Sequence, residues 1–282
     1  MNNNVTRLRL VDTVSEFARA AGELLALGIS RNLLKDGVPQ GNGQPVLVLP
    51  GLGCNDFPTA PLRNFLTEIG YSAYAWEGGI NTGPSGSILR HLPERLSDIS
   101  KHHGGKKVAL VGHSMGGIFS RELARAFPEK VSKVITMGSP SGAGSNPDSI
   151  FPPVRKLFEI LNGKNHSFLT DVNMARQAIV PPPVPTTALY TRHDGIVHWK
   201  TCINPRVEQA ENVEVHASHC GLVFNPLAWI VIADRLAQHE DKWTPFSPNA
   251  YAPILFRKEQ AHEGYEPVPH IDAVEPVRIF QL

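Results

Sequence analysis

Short apolar runs separated by segments of helical spacing limit most strongly how this chain can fold. Val46-Leu47-Val48-Leu49 and Val108-Ala109-Leu110-Val111 are continuous apolar runs, the pattern of strands buried on both faces. Val131–Met137, Thr187–Tyr190 and Asn212–Val215 read as further strands, and Tyr71–Trp76 alternates like one. Between them, Pro61–Ile69 and Met115–Phe127 have helical character. Asn225-Pro226 opens a helix over Leu227–Leu236, with asparagine as N-cap and proline at the first helical position. Strands alternating with helices imply βαβ units. The expected class is therefore α/β, a mostly parallel central sheet with helices on both faces.

Three segments depart from this rhythm within what reads as one domain over residues 1–282. A helix is predicted over about residues 13–34. It opens with Thr13-Val14-Ser15-Glu16, the spacing at which Thr and Glu cap each other's backbone N–H groups. Val14, Phe17, Ala18, Ala21, Leu24 and Leu25 share one face, expected to pack on the core or on a partner. Residues 139–186 are too long for an ordinary connection and predict a cap or lid, with a helical patch near Val154–Leu161. The tail over residues 242–282 is rich in proline and is expected to wrap the body or to be partly disordered.

Composition narrows the function classes. Lys and Arg number 27 against 26 Asp and Glu, with no basic run, which argues against nucleic-acid binding or an anionic membrane footprint. No stretch is apolar enough to span a membrane, and the N-terminus lacks the apolar region of a signal peptide, so a cytoplasmic address is expected. Three cysteines (Cys54, Cys202 and Cys220) are too few for a disulfide framework and fit no zinc spacing; Cys202 and Cys220 could pair only in an oxidising compartment.

Chemistry concentrates at the strand ends. Gly112-His113-Ser114-Met115-Gly116 matches G-x-S-x-G between a buried strand and a helix, where a sharp turn exposes the serine hydroxyl. The Met115 N–H at the helix start offers an oxyanion donor, and Leu52 N–H, in the loop Pro50-Gly51-Leu52-Gly53, offers a second. A serine needs a base held by a third group. Asp194 follows one strand and His219 follows the last, giving the order Ser, Asp, His; loops at the carboxyl edge of a parallel sheet converge, so the three can meet. His216, His193, His198 and His113 are rival bases, and Asp171 and Asp234 rival acids. His113 is expected to line the site. Phe57, Phe151, Leu157 and Phe158 either receive an acyl chain or pack the cap onto the body. Ile80–Pro84 is expected to form another wall.

These motifs resemble those of the α/β-hydrolase superfamily, and within it bacterial lipase- and esterase-like serine hydrolases. The resemblance rests on Leu-Pro-Gly-Leu-Gly at 49–53, Val-Gly-His-Ser-Met-Gly-Gly at 111–117, Asp-Gly-Ile-Val at 194–197 and Ser-His-Cys-Gly at 218–221. It implies a triad of Ser114, Asp194 and His219, an oxyanion hole from Leu52 and Met115, no cofactor or metal, and a small-molecule or lipid ester as substrate. Lipases often carry His-Gly in the oxyanion loop, where this chain has Pro50-Gly51, so the anchoring of that loop is open. Acyl transfer and thioester hydrolysis use the same triad, and a non-catalytic binding module on the same fold is the alternative from another class.

Overall fold

The computed structural model describes residues 8–142, 149–164, 166–167, 177–239, 242–251, 256 and 280. Six strands form one sheet: β1 Pro45–Leu49, β2 Ser72–Ala75, β3 Val108–His113, β4 Val131–Met137, β5 Thr186–Tyr190 and β6 Ala210–Glu214. The order is β2-β1-β3-β4-β5-β6, and every pairing is parallel. The helices with both ends among the described residues include α1 Leu10–Gly37, α2 Ala60–Glu68, α3 Gly86–His102, α4 Met115–Ala126, α5 Pro152–Asn162 and α6 Pro226–Ala237.

The period of two along each strand splits the core into two layers. Val46, Val48, Ala109 and Val111 face a layer shared with α1, α2 and α6, whereas Leu47, Leu49, Val108 and Leu110 face α3 and α4. The chain steps outward from β1 to β2, then returns past β1 to β3 and continues the other way. The direction of winding therefore reverses between β1 and β3. In an open parallel sheet such a reversal separates the two following loops and leaves a crevice at the carboxyl end of the strands. Leu49 pairs with Gly112 there, so the loop after β1 and the turn after β3 leave the sheet side by side.

Most predicted elements lie within a residue or two of their observed limits. The helix α3 had no counterpart in the sequence reading: Pro93 lies inside it, and a proline in mid-run reads as a helix end. His216, a rival base, lies beyond the end of β6, exposed, with its ring edge-on to His193. The described part of the tail packs on the body. Phe246 and Phe256 are buried in the α6 layer, and Phe280 packs in the α3–α4 layer; Pro253, Pro267, Pro269 and Pro276 lie outside the described residues.

Helix α1 corrects two expectations. It begins at Leu10, with Arg9 as a non-capping N-cap, so Thr13 and Glu16 form no capping box; both side chains reach across to distant loops. The predicted apolar face points outward. Val14, Phe17 and Leu25 are each more than 70% exposed, while Asp12, Glu16 and Ala20 are buried. The charged face of α1 is the one that meets the protein.

The N-cap of α6 is as the sequence predicts: Asn225 Oδ1 accepts from the N–H groups of Leu227 and Ala228, and its Nδ2 donates to His216 O. Asn225→Ala removes all three bonds, and urea denaturation is expected to show a loss of about 1–2 kcal/mol.

Candidate active site

Ser114 sits where β3 turns into α4, with φ 51° and ψ −119°, a left-handed backbone that a side chain other than glycine's rarely tolerates. The conformation survives because the turn has no freedom to relax. A Cβ on Gly116 would lie 2.4 Å from Leu49 O, and one on Gly112 would lie 2.4 Å from Gly116 O, so α4 starts in direct backbone contact with β1 and β3. That contact explains the two glycines of the motif by space rather than by pattern. Ser114 N–H donates to Met137 O, fixing the turn to β4. Met115 N–H, as the first of the helix, has no acceptor within α4.

The loop after β1 lies against this turn: a Cβ on Gly51 would stand 3.3 Å from Ser114 Cβ. The loop's anchor is Asn81, which is fully buried. Asn81 Nδ2 donates to Pro50 O (2.8 Å), its backbone O accepts from Gly53 N–H (2.7 Å), and its N–H donates to Cys54 O (2.8 Å). Asn81 Oδ1 in turn accepts from Gly83 N–H. The residue had been placed in the sequence only as part of a wall. Leu52 N–H donates to no acceptor among the described residues.

Asp194 and His219 meet as a buried pair, with His219 Nδ1 2.7 Å from Asp194 Oδ2. Asp194 Oδ1 accepts from the N–H groups of Ile196 (2.9 Å) and Val197 (2.7 Å), so the carboxylate is held from both sides. A carboxylate only accepts, so His219 Nδ1 carries the proton and Nε2 offers its lone pair. Burial alone would lower the His219 pKa. The charge and hydrogen bond of Asp194, with the charge of Glu16, outweigh that and hold it above the usual 6.5.

His113, next to the serine, is buried, and its Nε2 donates to His219 O (3.0 Å) with the two rings 5.0 Å apart. Burial, helped by its positive neighbour His219 when charged, pushes the His113 pKa down to about 3, so it stays neutral. It supports the His219 backbone through that bond.

The remaining candidates are spread more widely. Leu157, on α5, reaches the loop after β1: its Cδ2 lies 3.5 Å from where a Cβ on Gly53 would stand. Phe158 is buried in the α3–α4 layer, Phe151 packs beside Ile196 and Val197, and Phe57 is 83% exposed on the surface. Asp234 is tied to Arg235 and to the Tyr251 hydroxyl on α6, and Asp171 lies outside the described residues. His198 caps the short turn Trp199–Thr201. All three cysteines are free, and among the described residues no three His, Cys, Asp or Glu side chains group as metal ligands.

The helix α1 supplies residues that the sequence did not single out. Glu16, fully buried, accepts from Gly195 N–H (3.1 Å) through Oε2 and from Cys220 N–H (2.7 Å) through Oε1. It thereby joins the residue after Asp194 to the residue after His219. Arg19 repeats the link through carbonyls, donating to His193 O (2.7 Å) and Ala217 O (3.2 Å). Glu23 accepts from Ser218 N–H (2.7 Å), and its carboxylate lies against Gly221, where a Cβ would push it aside. Desolvation raises the pKa of both Glu16 and Glu23, partly offset by the N–H groups they accept from. The one sequence signal at these residues is the Thr13–Glu16 spacing, which fits a local helix cap equally well.

Residues 42–159 match the family model for the alpha/beta hydrolase fold. The chain has the α/β-hydrolase fold. The pheophorbidase of Raphanus sativus is 26% identical over 243 residues, 74% of this chain and 83% of its own length. Among solved structures, the lipase BlEst2 of Bacillus licheniformis has 19% identity and a TM-score of 0.44 over 69% of this chain and 92% of its own. A structure of the metagenome-derived lipolytic enzymes LipS and LipT has 16% identity and a TM-score of 0.45 over 66% and 89%.

Glu16→Gln keeps the side chain's shape but removes its charge and opposes one backbone N–H with another. Since that charge raises the His219 pKa, the titration midpoint of the His219 imidazole, followed by NMR, is expected to fall relative to the parent.

Proposed function

We propose that the protein is a serine hydrolase that cleaves carboxylic esters through an acyl-enzyme on Ser114. The observation carrying this reading is the convergence at the β1–β3 reversal. A serine in a forced left-handed turn lies beside the residue that holds His219 O, and His219 is itself paired with buried Asp194. Ser114 Oγ attacks the ester carbonyl carbon while His219 Nε2 takes its proton. Asp194 keeps the proton of Nδ1 in place and stabilises the imidazolium. The N–H groups of Leu52 and Met115 receive the oxyanion; one such donor is worth on the order of 10²–10³ in rate. His219 then gives its proton to the leaving alcohol, and water repeats the sequence on the acyl-enzyme. Leu157 above Gly53 gives the acyl side an apolar contact.

Nitrophenyl esters from acetate to palmitate test this reading. The parent is expected to hydrolyse at least part of the series, and Ser114→Ala to lose at least about 10³-fold in kcat. A Ser114→Ala variant with parental activity would overturn the assignment. An inert parent that also fails to react with a fluorophosphonate would favour a binding module.

The pH profile follows from His219. Its neutral form is the base, and its pKa lies above 6.5, so activity is lost as pH falls through that raised value. kcat/KM on the best ester should therefore show an acid limb with its midpoint above 6.5.

A further inference from the structure

We infer that two copies of the chain associate through their α1 helices, packed antiparallel about a two-fold axis near Ala21. The outward face of α1 carries Leu10, Val14, Phe17, Leu25, Ile29 and Leu33, each more than 70% exposed. Six large side chains so exposed exceed the few hundred Å² of contiguous apolar surface usual on a monomer. They amount to roughly the ~800 Å² that each partner of a stable complex buries.

Charge decides between the occupants of such a face. Every charged residue between Leu10 and Leu33 is buried or half-buried on the opposite side of the helix. Asp12 and Glu16 are buried, Arg19 bonds to Glu16 and two loop carbonyls, Glu23 holds Ser218, and Arg31 pairs with Glu68. A helix lying in a lipid surface uses Lys and Arg beside its apolar face to meet the headgroups. Here the basic side chains are already engaged with the body, and no exposed charge borders the face between its ends.

The order of side chains fits a second copy. Small exposed residues, Ala18, Ala21 and Gly22, occupy the middle, with large ones toward both ends. Reversing the helix about the point between Ala21 and Gly22 sets Leu10 against Leu33, Val14 against Ile29 and Phe17 against Ala26, one residue from Leu25. The small centre lets the helices approach, and the same patch serves both copies, as a two-fold interface requires. No charge is buried in that pairing.

The test uses the full chain. Sedimentation velocity at micromolar concentration should give twice the monomer mass for the parent and the monomer mass for Phe17→Glu, with circular dichroism unchanged. Adding Leu25→Lys to Phe17→Glu should restore the dimer, because the long lysine side chain, one residue from the position facing Phe17, brings a charge of opposite sign to the introduced carboxylate across the axis. Ala21→Cys should form a reducible covalent dimer under mild oxidation, well above the parent carrying its three native cysteines. A monomeric parent overturns the inference, as does a monomer that binds phosphatidylcholine vesicles through this face. A parent dimer unaffected by Phe17→Glu, or one in which the paired charges give no rescue, assigns the contact to another surface and also overturns it. None of these readouts depends on esterase activity.

Discussion

The hydrogen bond between His219 Nδ1 and Asp194 Oδ2 is the interaction around which the rest of the site is arranged. Neither residue can hold it alone, since each stands on a loop beyond the sheet. Its geometry is set by groups on four sides: two backbone N–H groups on the far oxygen of Asp194, His113 beneath the His219 carbonyl, Glu16 clipping both loops, and Arg19 gathering their carbonyls. A buried polar network of this kind is favourable only when nearly every member is satisfied. Helix α1 completes it, because Gly195 N–H and Cys220 N–H find their acceptor there.

The sheet solves a different problem, that of putting a strained serine beside this pair. Close backbone packing of α4 on β1 leaves no space for a Cβ at Gly116, and the same crowding holds Ser114 in its left-handed conformation. The winding reversal between β1 and β3 then brings the loop after β1 alongside. Asn81 secures that loop by satisfying backbone groups at both of its ends. Pro50-Gly51 therefore keeps its shape without the histidine common in similar loops.

The sheet and the residues it presents were legible because they depend on local rules. Continuous apolar runs mark buried strands, Asn225-Pro226 marks a helix start, and a Gly-flanked serine after a strand marks a sharp turn. The parts that escaped depend on contacts far apart in sequence. Thr13 and Glu16 have the spacing of a local cap but bond to Gly195 and Cys220. The apolar stripe of α1 has the periodicity of a core-facing helix, and periodicity does not say which side the body occupies. Only the distribution of Asp12, Glu16, Arg19 and Glu23, all needed by the loops, turns it outward. Pro93 hid α3 because a proline inside a helix is tolerated by tertiary packing that sequence spacing does not report. Asn81 carried no motif at all; its role arises from the approach of two loops.

The bond from Glu16 to Cys220 spans 204 positions, and that to Gly195 spans 179. Contacts this distant in sequence are the last that a growing or collapsing chain can close, because their loop entropy must be met before they give anything back. The strands β1 to β4 can pair while the carboxyl-terminal third is still being synthesised. The loops of Asp194 and His219 have no such option, since α1 must wait until β6 and the loop after it have emerged. The order of synthesis thus separates building the sheet from joining the loops of Asp194 and His219, and a nascent chain carries its serine turn long before it holds that buried pair.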